Sequence, residues 1–268
     1  MTNIPPPCAY LVRVIEIIDL SPNLRRLVLY SPELAQYPHQ YNGAHLKIFL
    51  APSGQNKPQL PQFLNHGFSW EDPDNKPIVR TYTLRDYDAQ QCTVTIDFVK
   101  HGDNGPASAF AEQAQLNDLL GISSPGGPFP MVKSALRYLF VADITALPAL
   151  EALLADMDQS AKGDVIVLLP QVEDLPATLQ LPAGMNLHEF YGNLKQIPAV
   201  LNCVSNLAPM IEDDFAWIAG EASLVMPIRA HLRDKWHLPP KRHYAVPYWH
   251  DGRTEENYHT ARHKFIDE

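Results

Sequence analysis

The sequence predicts two domains of different fold class, an antiparallel β-barrel followed by an α/β domain with a parallel sheet. Up to about residue 131, short stretches rich in β-branched and aromatic residues alternate with turns, which is typical of a small antiparallel barrel. From residue 132 onward, apolar strands alternate with helical stretches. That pattern is typical of a doubly wound parallel sheet, whose strands are buried on both faces.

The composition fits a folded chain and excludes some partners. The chain has 268 residues, of which 46% are hydrophobic and 19% are charged, enough to bury a core. Its formal net charge of -9 argues against nucleic acid or an anionic membrane surface as a general partner. No signal peptide and no apolar run of membrane-spanning length is evident.

The cysteines are scattered and odd in number. Cys8, Cys92 and Cys203 show no C-x-x-C spacing, so neither a disulfide framework nor a cysteine-ligated metal is expected. Reduced thiols are typical of the cytoplasm, which is the expected location.

In the first domain, three strands are predicted before a long loop: YLVRVIEIIDL, SPNLRRLVLY and GAHLKIFL. Residues 51–77, rich in Pro, Asn and Gln, predict a long loop, which in a compact domain is often functional. VRTYTLRDYD and CTVTIDFVKHG then predict a strand pair with one buried face. One side of the second stretch carries Val94, Ile96 and Phe98, and the other carries Thr93, Thr95 and Asp97.

In the second domain, five strands are predicted: YLFVAD, DVIVLLP, NLHEFYG, FAWIAGE and HYAVPYW. Helices are predicted over ITALPALEALLADM, after Leu194 and over ASLVMPIRAHLRDKW. We therefore expect a barrel domain over residues 5–131, an α/β domain over 132–250 and a C-terminal tail over 251–268 that is helical from about Glu255.

Residues 79–128 have the chemistry to hold a flat, phosphorylated, aromatic cofactor. Arg80 and Arg85 offer guanidinium groups for a pyrophosphate. Tyr82 lies on the same side of a strand as Arg80 and could stack on an aromatic ring, while Thr83 offers a hydroxyl and an amide. A Gly-Pro turn then starts a helix at Pro106, and a helix N-terminus favours an anion. The alternative is an edge strand with solvent-facing arginines and an ordinary turn.

The same residues carry a family resemblance. RTYTLR resembles the flavin motif of the ferredoxin-reductase superfamily, and IDFVKHGDNGPASAFA resembles the siderophore-interacting protein family of ferric-siderophore reductases. The resemblance implies a barrel-first, parallel-sheet-second order. It also implies an FAD site in which Arg80, Tyr82 and Thr83 contact the cofactor, His101 and Gly102 flank it, and Pro106, Ala107 and Ser108 surround the pyrophosphate. The implied set also includes Leu84, Arg85, Asp97 and Gly105.

The second domain lacks a standard dinucleotide fingerprint, since no G-x-G-x-x-G follows a strand. Asp143 followed by ITALPA resembles the looser family signature Asp-Glu-Thr-Ala-Leu-Pro-Ala, with Ile144 in place of the Glu. WIAGEAS resembles the second family landmark and ends at the carboxyl end of a strand, where such sheets bind ligands. For ITALPA alone, an ordinary amphipathic helix start is the alternative. The nicotinamide residues implied are Asp143, Thr145, Ala146, Gly220 and Glu221.

The preference between the two nicotinamide nucleotides is read from the loop after the second parallel strand. A 2′-phosphate requires an arginine or lysine there. The loop PQVEDLP holds Glu173 and Asp174 and no basic residue, which slightly favours NADH.

The substrate would need a basic cluster on this acidic protein, because ferric siderophores are often anionic. Lys47 resembles a substrate-binding lysine of the family, and we hypothesise that it forms a basic pocket beside the flavin edge with Arg262 and Lys264. The alternative is that the tail charges are a solvated helix face. His259 and His263 have metal-binding spacing but no zincin-type Glu, so no protein-bound metal is expected.

A second element near the C-terminus resembles the family but departs from it. YWHDG, residues 248–252, matches a family Tyr-Trp-Arg element, with His250 in place of the Arg. Its aromatic residues either cap the flavin or pack a domain interface, and the sequence does not decide between them.

Taken together, the resemblance implies a ferric-siderophore reductase that uses FAD to pass electrons from NAD(P)H to siderophore-bound Fe(III). A ferredoxin is a further candidate electron donor. The alternatives are a flavin reductase that serves another electron acceptor or redox partner protein, and a non-catalytic siderophore-binding module. The siderophore, the redox potential and the oligomeric state are not determined by the sequence.

Overall fold

The computed structural model describes residues 8–64, 67–101 and 105–253. Contacts within the chain divide it into two compact units, Met1–Pro128 and Phe129–Glu268. The three domain ranges expected from the sequence remain predictions, and the helix expected from about Glu255 lies outside the described residues.

The first unit is built from short strands and one α-helix, α1 (Pro106–Gln113), which comes late in the unit. Its strands are β1 (Ala9–Ser21), β2 (Leu24–Tyr30), β3 (His45–Leu50), β4 (Gln62–Leu64), β5 (Gly67–Ser69), β6 (Ile78–Thr83), β7 (Asp86–Asp88), β8 (Thr93–Val99) and β9 (Leu119–Ser123). Short 3-10 turns span Pro32–Gln36 and Pro73–Asn75.

Seven of these strands form one antiparallel sheet in the order β6-β3-β9-β1-β2-β8-β7. The two edge strands, β6 and β7, follow one another in the chain with only Leu84 and Arg85 between them. The sheet must therefore curl until its edges approach, and the backbone N–H of Arg85 donates to the carbonyl of Thr95 on β8. The expected antiparallel barrel domain is confirmed.

The inner face of this sheet holds one apolar core. Alternate residues of each strand point inward, and Val94, Ile96 and Phe98 of β8 are fully buried, as their spacing predicts. The same core collects residues from every long strand of the sheet, among them Val14, Leu27, Leu29, Leu46, Ile48, Leu120 and Ile122.

Two local expectations hold only in part. In the expected strand pair, the DYD end of the first stretch, which forms β7, pairs with β8, whereas β6 pairs with β3 instead. Residues 51–77 are not an irregular loop, since they contain the β4–β5 hairpin and the second 3-10 turn. The Gln59 amide ties this segment together, because its Nε2 donates to the carbonyls of Asp72 at 2.7 Å and Asn75 at 2.6 Å.

The second unit is a doubly wound α/β domain. Its strands are β10 (Tyr138–Asp143), β11 (Lys162–Leu169), β12 (Gly184–Tyr191), β13 (Phe215–Glu221) and β14 (His243–Trp249). Its helices are α2 (Leu147–Ala155), α3 (Ile197–Asn206) and α4 (Ala222–Asp234). All strand pairs are parallel, in the order β12-β11-β10-β13-β14, so the winding direction reverses between β10 and β13. The expected parallel-sheet domain is confirmed.

The packing explains the apolar strand sequences. All seven residues of β13 are buried, as are the last five residues of β10 and of β11. Side chains from α3 and α4 share a core with Leu139, Val141 and Ile166 of the sheet. A strand covered on both faces has no solvent side, so its sequence is apolar throughout. Among the described residues, no helix is long and apolar enough to cross a membrane.

Replacing Gly163 by Ala is predicted to destabilise the second unit. Gly163 has φ +148°, and a Cβ there would lie 1.9 Å from the carbonyl oxygen of Tyr138 on the neighbouring strand. We expect a loss of about 3 kcal/mol in the free energy of unfolding, measured by urea titration.

Gly252→Ala is the matched control for Gly163→Ala. Gly252 also has a positive φ, +73°, but a Cβ would meet no atom within 4 Å, so a loss of about 1 kcal/mol is expected. Equal losses in the two variants would contradict the steric explanation.

Candidate functional site

Arg80 and Tyr82 lie on one face of β6, as the alternation of side chains predicts. In the register with β3, Arg80 pairs with Ile48 and Tyr82 pairs with Leu46, and both partners are buried in the barrel core. The Tyr82 ring packs against Phe98 of β8, with ring centroids 4.4 Å apart and planes inclined by 37°. The guanidinium and the phenol therefore project from the inner face of the sheet.

Helix α1 packs against the same core. Gly105 is its N-cap residue and Pro106 its first residue, so the N-cap has no side chain with which to cap the helix. Ala107 packs into the barrel core, and the ring of Phe110 lies 6.4 Å from that of Phe98. Because the same phenylalanine contacts the tyrosine ring of β6, helix α1 packs on the part of the core that holds Tyr82.

Ser108 fastens the chain that precedes the helix. The residue is 1% exposed, and its hydroxyl accepts a hydrogen bond from the backbone N–H of His101 at 2.9 Å and donates to Glu112 at 3.3 Å. His101 is itself exposed, and Gly102 lies outside the described residues. The serine hydroxyl therefore shapes the turn, which leaves backbone amides as the groups of α1 suited to an anion.

Arg25 holds the other end of α1, a role that the sequence did not reveal. Its Nη1 donates to the carbonyls of Ala111 at 3.0 Å and Glu112 at 2.9 Å, while Nε and Nη2 bind the carboxylate of Asp19. A guanidinium at a helix C-terminus satisfies unpaired carbonyls and complements the helix dipole. Hydrogen bonds from Arg25 and Lys100 lower the pKa of Asp19 below its usual range.

Asp97 forms a buried ion pair on the opposite face of the sheet. Its side chain is 1% exposed and takes two hydrogen bonds from Arg26, at 2.6 Å and 2.8 Å, with Arg85 Nε at 3.8 Å. Two guanidinium groups therefore lie within 4 Å of one carboxylate. Arg85 and Asp97 are therefore separated by the sheet from Arg80 and Tyr82.

The remaining predicted residues of this stretch divide between the two faces. Leu84 is fully buried in the barrel core, and Thr83, on the opposite face, is 7% exposed. Lys47 of β3 also lies on the outer face, where its ammonium group is 2.5 Å from the hydroxyl of Thr81. The expected partners of Lys47 in a basic pocket, Arg262 and Lys264, lie outside the described residues.

The first unit has the groups that FAD requires. An aromatic ring on β6 suits stacking with an isoalloxazine, since flat π systems associate face to face or edge to face. The guanidinium of Arg80 and the uncapped start of α1 suit a diphosphate. The individual contacts between FAD and these residues, and those on the outer face, remain predictions.

In the second unit, the predicted nicotinamide residues meet at the point where the sheet reverses its winding. Asp143 ends β10 and Glu221 ends β13, and these two strands are neighbours in the sheet. From β10 the strand order runs in one direction to β11 and β12, and from β13 it runs in the other direction to β14. Doubly wound sheets bind ligands outside the carboxyl ends of their strands at this switch point. The expected nicotinamide residues thus lie at this switch point, and their contact with the nucleotide remains a prediction.

Asp143 is a buried carboxylate whose two oxygens are both engaged. One oxygen accepts hydrogen bonds from the backbone N–H of Thr145 at 2.8 Å and of Ala146 at 3.3 Å, and from the Thr145 hydroxyl at 2.6 Å. The other accepts from the backbone N–H of Glu221 and the indole N–H of Trp249, both at 2.7 Å. Burial raises the pKa of Asp143, and this ring of donors opposes the rise.

Gly220 makes room for that carboxylate. Its φ is +135°, and a Cβ at this position would lie 2.6 Å from the carboxyl carbon of Asp143. Only glycine satisfies both the backbone conformation and the close approach. The glycine of WIAGEAS thus serves the packing of two neighbouring strands.

Glu221 caps the helix that follows it. One of its oxygens accepts hydrogen bonds from the backbone N–H and the hydroxyl of Ser223 in the first turn of α4. The other accepts from the backbone N–H of Asp251 at 3.1 Å. Ile144, which replaces the family's Glu, is buried, so the departure adds an apolar side chain to the interior.

The two acidic residues after β11 have different environments. Asp174 is fully buried within the 3-10 turn Val172–Asp174, whereas Glu173 is exposed. Of the two acidic side chains, only that of Glu173 is therefore open to solvent.

A barrel with groups suited to FAD and a doubly wound sheet with a nucleotide-binding edge define an FAD-dependent oxidoreductase with NAD(P)H as its second cofactor. The sequence comparisons then identify the family. Residues 13–129 match the model of the siderophore-interacting FAD-binding domain, and residues 135–252 match that of the siderophore-interacting protein. The chain belongs to the siderophore-interacting protein family, and the resemblance stated from the sequence is confirmed.

Relatives of known name span nearly the whole chain. The ferric vibriobactin reductase ViuB of Vibrio cholerae is 34% identical over 252 residues, which cover 93% of this chain and 92% of ViuB. The NADPH-dependent ferric-chelate reductase of Escherichia coli is 27% identical over 88% of this chain and 91% of its own. The crystal structure of the siderophore-interacting protein SipS from Aeromonas hydrophila superposes with a TM-score of 0.85 at 40% identity, covering 97% of this chain and 98% of SipS.

Removing the charge of Asp97 is predicted to destabilise the barrel more than removing that of Asp19. Asp97→Asn leaves Arg26 without its buried partner, and we expect a loss of about 3 kcal/mol in the free energy of unfolding. The measurement is urea unfolding of the FAD-free protein, so that cofactor binding does not contribute.

Asp19→Asn is the control, because Asp19 also pairs with an arginine but is 54% exposed. A loss below about 1 kcal/mol is expected there. If the two variants lose equal stability, burial is not what makes the Asp97 pair important.

Proposed function

We propose that this protein is a ferric-siderophore reductase, which uses FAD to pass electrons from NAD(P)H to siderophore-bound Fe(III) and thereby releases Fe(II). The observation that carries the proposal is the family match across both units, together with near full-length similarity to proteins named as ferric-chelate reductases. The groups suited to FAD in the first unit and the switch-point edge of the second support it.

When bound, FAD supplies the conversion between a two-electron donor and a one-electron acceptor. One NAD(P)H reduces two Fe(III) to Fe(II) and leaves NAD(P)⁺ and a proton. Fe(II) binds hard oxygen chelators less tightly than Fe(III), so reduction favours release of the metal.

The chain's own residues bind and orient the reactants. Tyr82 offers a ring held in place by Phe98, and Arg80 and the start of α1 offer charge and amides to a diphosphate. Electron transfer through a bound cofactor needs no protein nucleophile or general acid, so position and electrostatics are the protein's contribution.

For the electron donor we propose NADH ahead of NADPH. The exposed Glu173 beside the end of β11 would repel a 2′-phosphate, and in many doubly wound domains an acidic residue there binds the ribose hydroxyls. The E. coli relative is named as NADPH-dependent. A ferredoxin is the second donor to compare in the same assay.

For the substrate we propose an anionic ferric siderophore bound with help from Lys47, Arg262 and Lys264. Because Lys47 already donates to the hydroxyl of Thr81, its ammonium group is held in place by the neighbouring strand. A cytoplasmic location is consistent with this activity, since NAD(P)H is available there and all three cysteines are free thiols.

The central test is anaerobic spectroscopy of the purified protein. We expect visible flavin absorption that is bleached by NADH and restored by a ferric catecholate siderophore, with Fe(II) trapped by a colorimetric chelator. A protein that is colourless and does not bind added FAD would overturn the proposal. Reoxidation by protein acceptors but not by ferric chelates would favour a flavin reductase with another partner, and siderophore binding without bleaching would favour a binding module.

Reversing the charge of Glu173 is predicted to change the nucleotide preference. Glu173→Arg replaces repulsion of the 2′-phosphate by attraction, so the ratio of kcat/KM for NADPH to that for NADH should rise by about tenfold or more. The measurement is steady-state reduction of a ferric chelate with each nucleotide.

Glu212→Arg is the control, since Glu212 is an exposed acidic residue before the amino end of β13, whereas Glu173 follows the carboxyl end of β11 in the same parallel sheet. It makes the same change in net charge and should leave the ratio unaltered. An equal shift in both variants would assign the effect to net charge instead of to Glu173.

Reversing the charge of Lys47 is predicted to weaken binding of an anionic ferric siderophore. Lys47→Glu should raise the Kd by about tenfold, with a smaller effect at high salt. Titration of the oxidised protein by quenching of its flavin fluorescence measures the affinity. The control is Lys57→Glu, an exposed lysine in the segment between β3 and β4. Unchanged affinity in Lys47→Glu would remove that residue from the proposed pocket.

A further inference from the structure

Two buried carboxylates, each at the end of another strand, hold the end of β14 and the segment that follows it. The indole N–H of Trp249 donates to Asp143 at the end of β10, and the backbone N–H of Asp251 donates to Glu221 at the end of β13. Asp143 is 4% exposed and Glu221 is 1% exposed. We call Asp143 and Glu221 the carboxylate clamp.

The backbone is arranged to let Trp249 reach this clamp. β13 lies between β14 and β10, so the indole must reach past β13 to touch Asp143. The residue of β13 at that level is Gly220, which has no side chain to block the approach. The register between β13 and β14 also shifts there, because Gly220 pairs with Pro247 while Glu221 pairs with Trp249. Such irregularities redirect a side chain at the end of a strand.

Stability alone does not require this arrangement. Taking a carboxylate out of water is unfavourable, and desolvation is the main cause of the raised pKa of Asp143. An apolar residue would pack this position without that penalty. The five hydrogen bonds on this carboxylate, by contrast, fix the positions of the groups that donate them, including the indole of Trp249.

The clamp lies where the nucleotide is expected. The ends of β10 and β13 flank the switch point of the sheet, and Trp249 is tied to the first of them while remaining half-buried. Both oxygens of Asp143 are already occupied by protein donors. Its carboxylate is therefore better suited to holding other groups than to touching a ligand, whereas the indole offers a flat apolar surface.

We propose that Trp249 contacts the nicotinamide ring and that Asp143 is a positioning residue that fixes the indole for this contact. The proposal rests on the proposed use of NAD(P)H. It assigns the aromatic contact to Trp249 and gives Asp143 a role that acts through the indole, with Glu221 holding the backbone that follows.

The test uses nucleotides with and without the nicotinamide ring. Calorimetry on the oxidised FAD-loaded protein measures the Kd for NAD⁺ and for ADP-ribose, which shares every part of NAD⁺ except the nicotinamide. Trp249→Ala should raise the Kd for NAD⁺ by about tenfold, in line with the loss of one aromatic stacking contact, and leave that for ADP-ribose within about twofold. Equal weakening of both ligands, or no weakening, would overturn the proposal.

A conservative pair isolates the hydrogen bond. Trp249→Phe keeps an aromatic ring but cannot donate to Asp143, so NAD⁺ binding should weaken by a smaller factor than in Trp249→Ala. Trp236→Phe makes the same change at a tryptophan beyond the C-terminal end of α4 and should change neither Kd. Equal effects from the two phenylalanine variants would contradict a specific role for Trp249.

The role of Asp143 is tested by a double-mutant cycle. Asp143→Asn alone should weaken NAD⁺ binding, and in the Trp249→Ala background it should add less than about twofold, because the group through which it acts is gone. Independent effects that multiply in the double variant would overturn the positioning role. If Asp143→Asn does not fold, Trp249→Phe breaks the same hydrogen bond from the other side and decides the question.

Failure of this inference is distinguishable from failure of the proposed function. Enzyme reduced by dithionite needs no nucleotide, so its reoxidation by a ferric siderophore reports the iron reaction alone. Loss of that reaction in the wild type would overturn the proposed function, while the two nucleotide affinities would still test Trp249.

Discussion

A buried carboxylate requires hydrogen-bond donors from the protein, and both units of this protein contain a carboxylate that satisfies this constraint. In the barrel, Asp97 is buried against Arg26, with Arg85 nearby. In the parallel sheet, Asp143 collects backbone, hydroxyl and indole donors from three different parts of the chain. Each carboxylate holds together elements that are distant in sequence. Each is itself one of the residues that the sequence predicts to bind a cofactor.

The same constraint changes the interpretation of several expected binding residues. Ser108, Asp143 and Glu221 match family motifs, and in the structure each uses its side chain to fasten the local backbone. A motif can therefore mark a binding site through residues that shape it as well as through residues that touch the ligand. The groups proposed to contact ligands are instead the Tyr82 ring, the start of α1 and Trp249 at the end of β14. These are a flat ring, backbone amides and an indole, which suit a dinucleotide chemically.

The departures from the family pattern have physical meaning. Ile144 replaces a carboxylate and is buried, so the chain lacks that charge at the switch point. His250 replaces an arginine and bonds through its ring to the carbonyl of Asp251. The fold itself is shared with SipS, with a TM-score of 0.85.

The sequence by itself determined most elements and the order of the two domains. Period-two and continuous apolar patterns identified β1 to β3, β8 and all five parallel strands, because side-chain direction follows directly from backbone geometry. The Gly-Pro start of α1 and the alternation of Arg80 and Tyr82 followed from the same local rules. The family motifs predicted the cofactors FAD and NAD(P)H, which the periodicity of apolar residues does not indicate.

The tertiary structure decided which elements meet. β6 and β8 pair with other strands, Arg25 holds the end of α1, and Trp249 bonds to Asp143 from 106 residues away. None of these pairings has a local signal, since they arise when the curled sheet and the doubly wound sheet bury their apolar faces. Neighbouring residues determine the local backbone geometry. Which distant elements pair depends on how the whole chain can bury its apolar side chains while its buried polar groups still form hydrogen bonds.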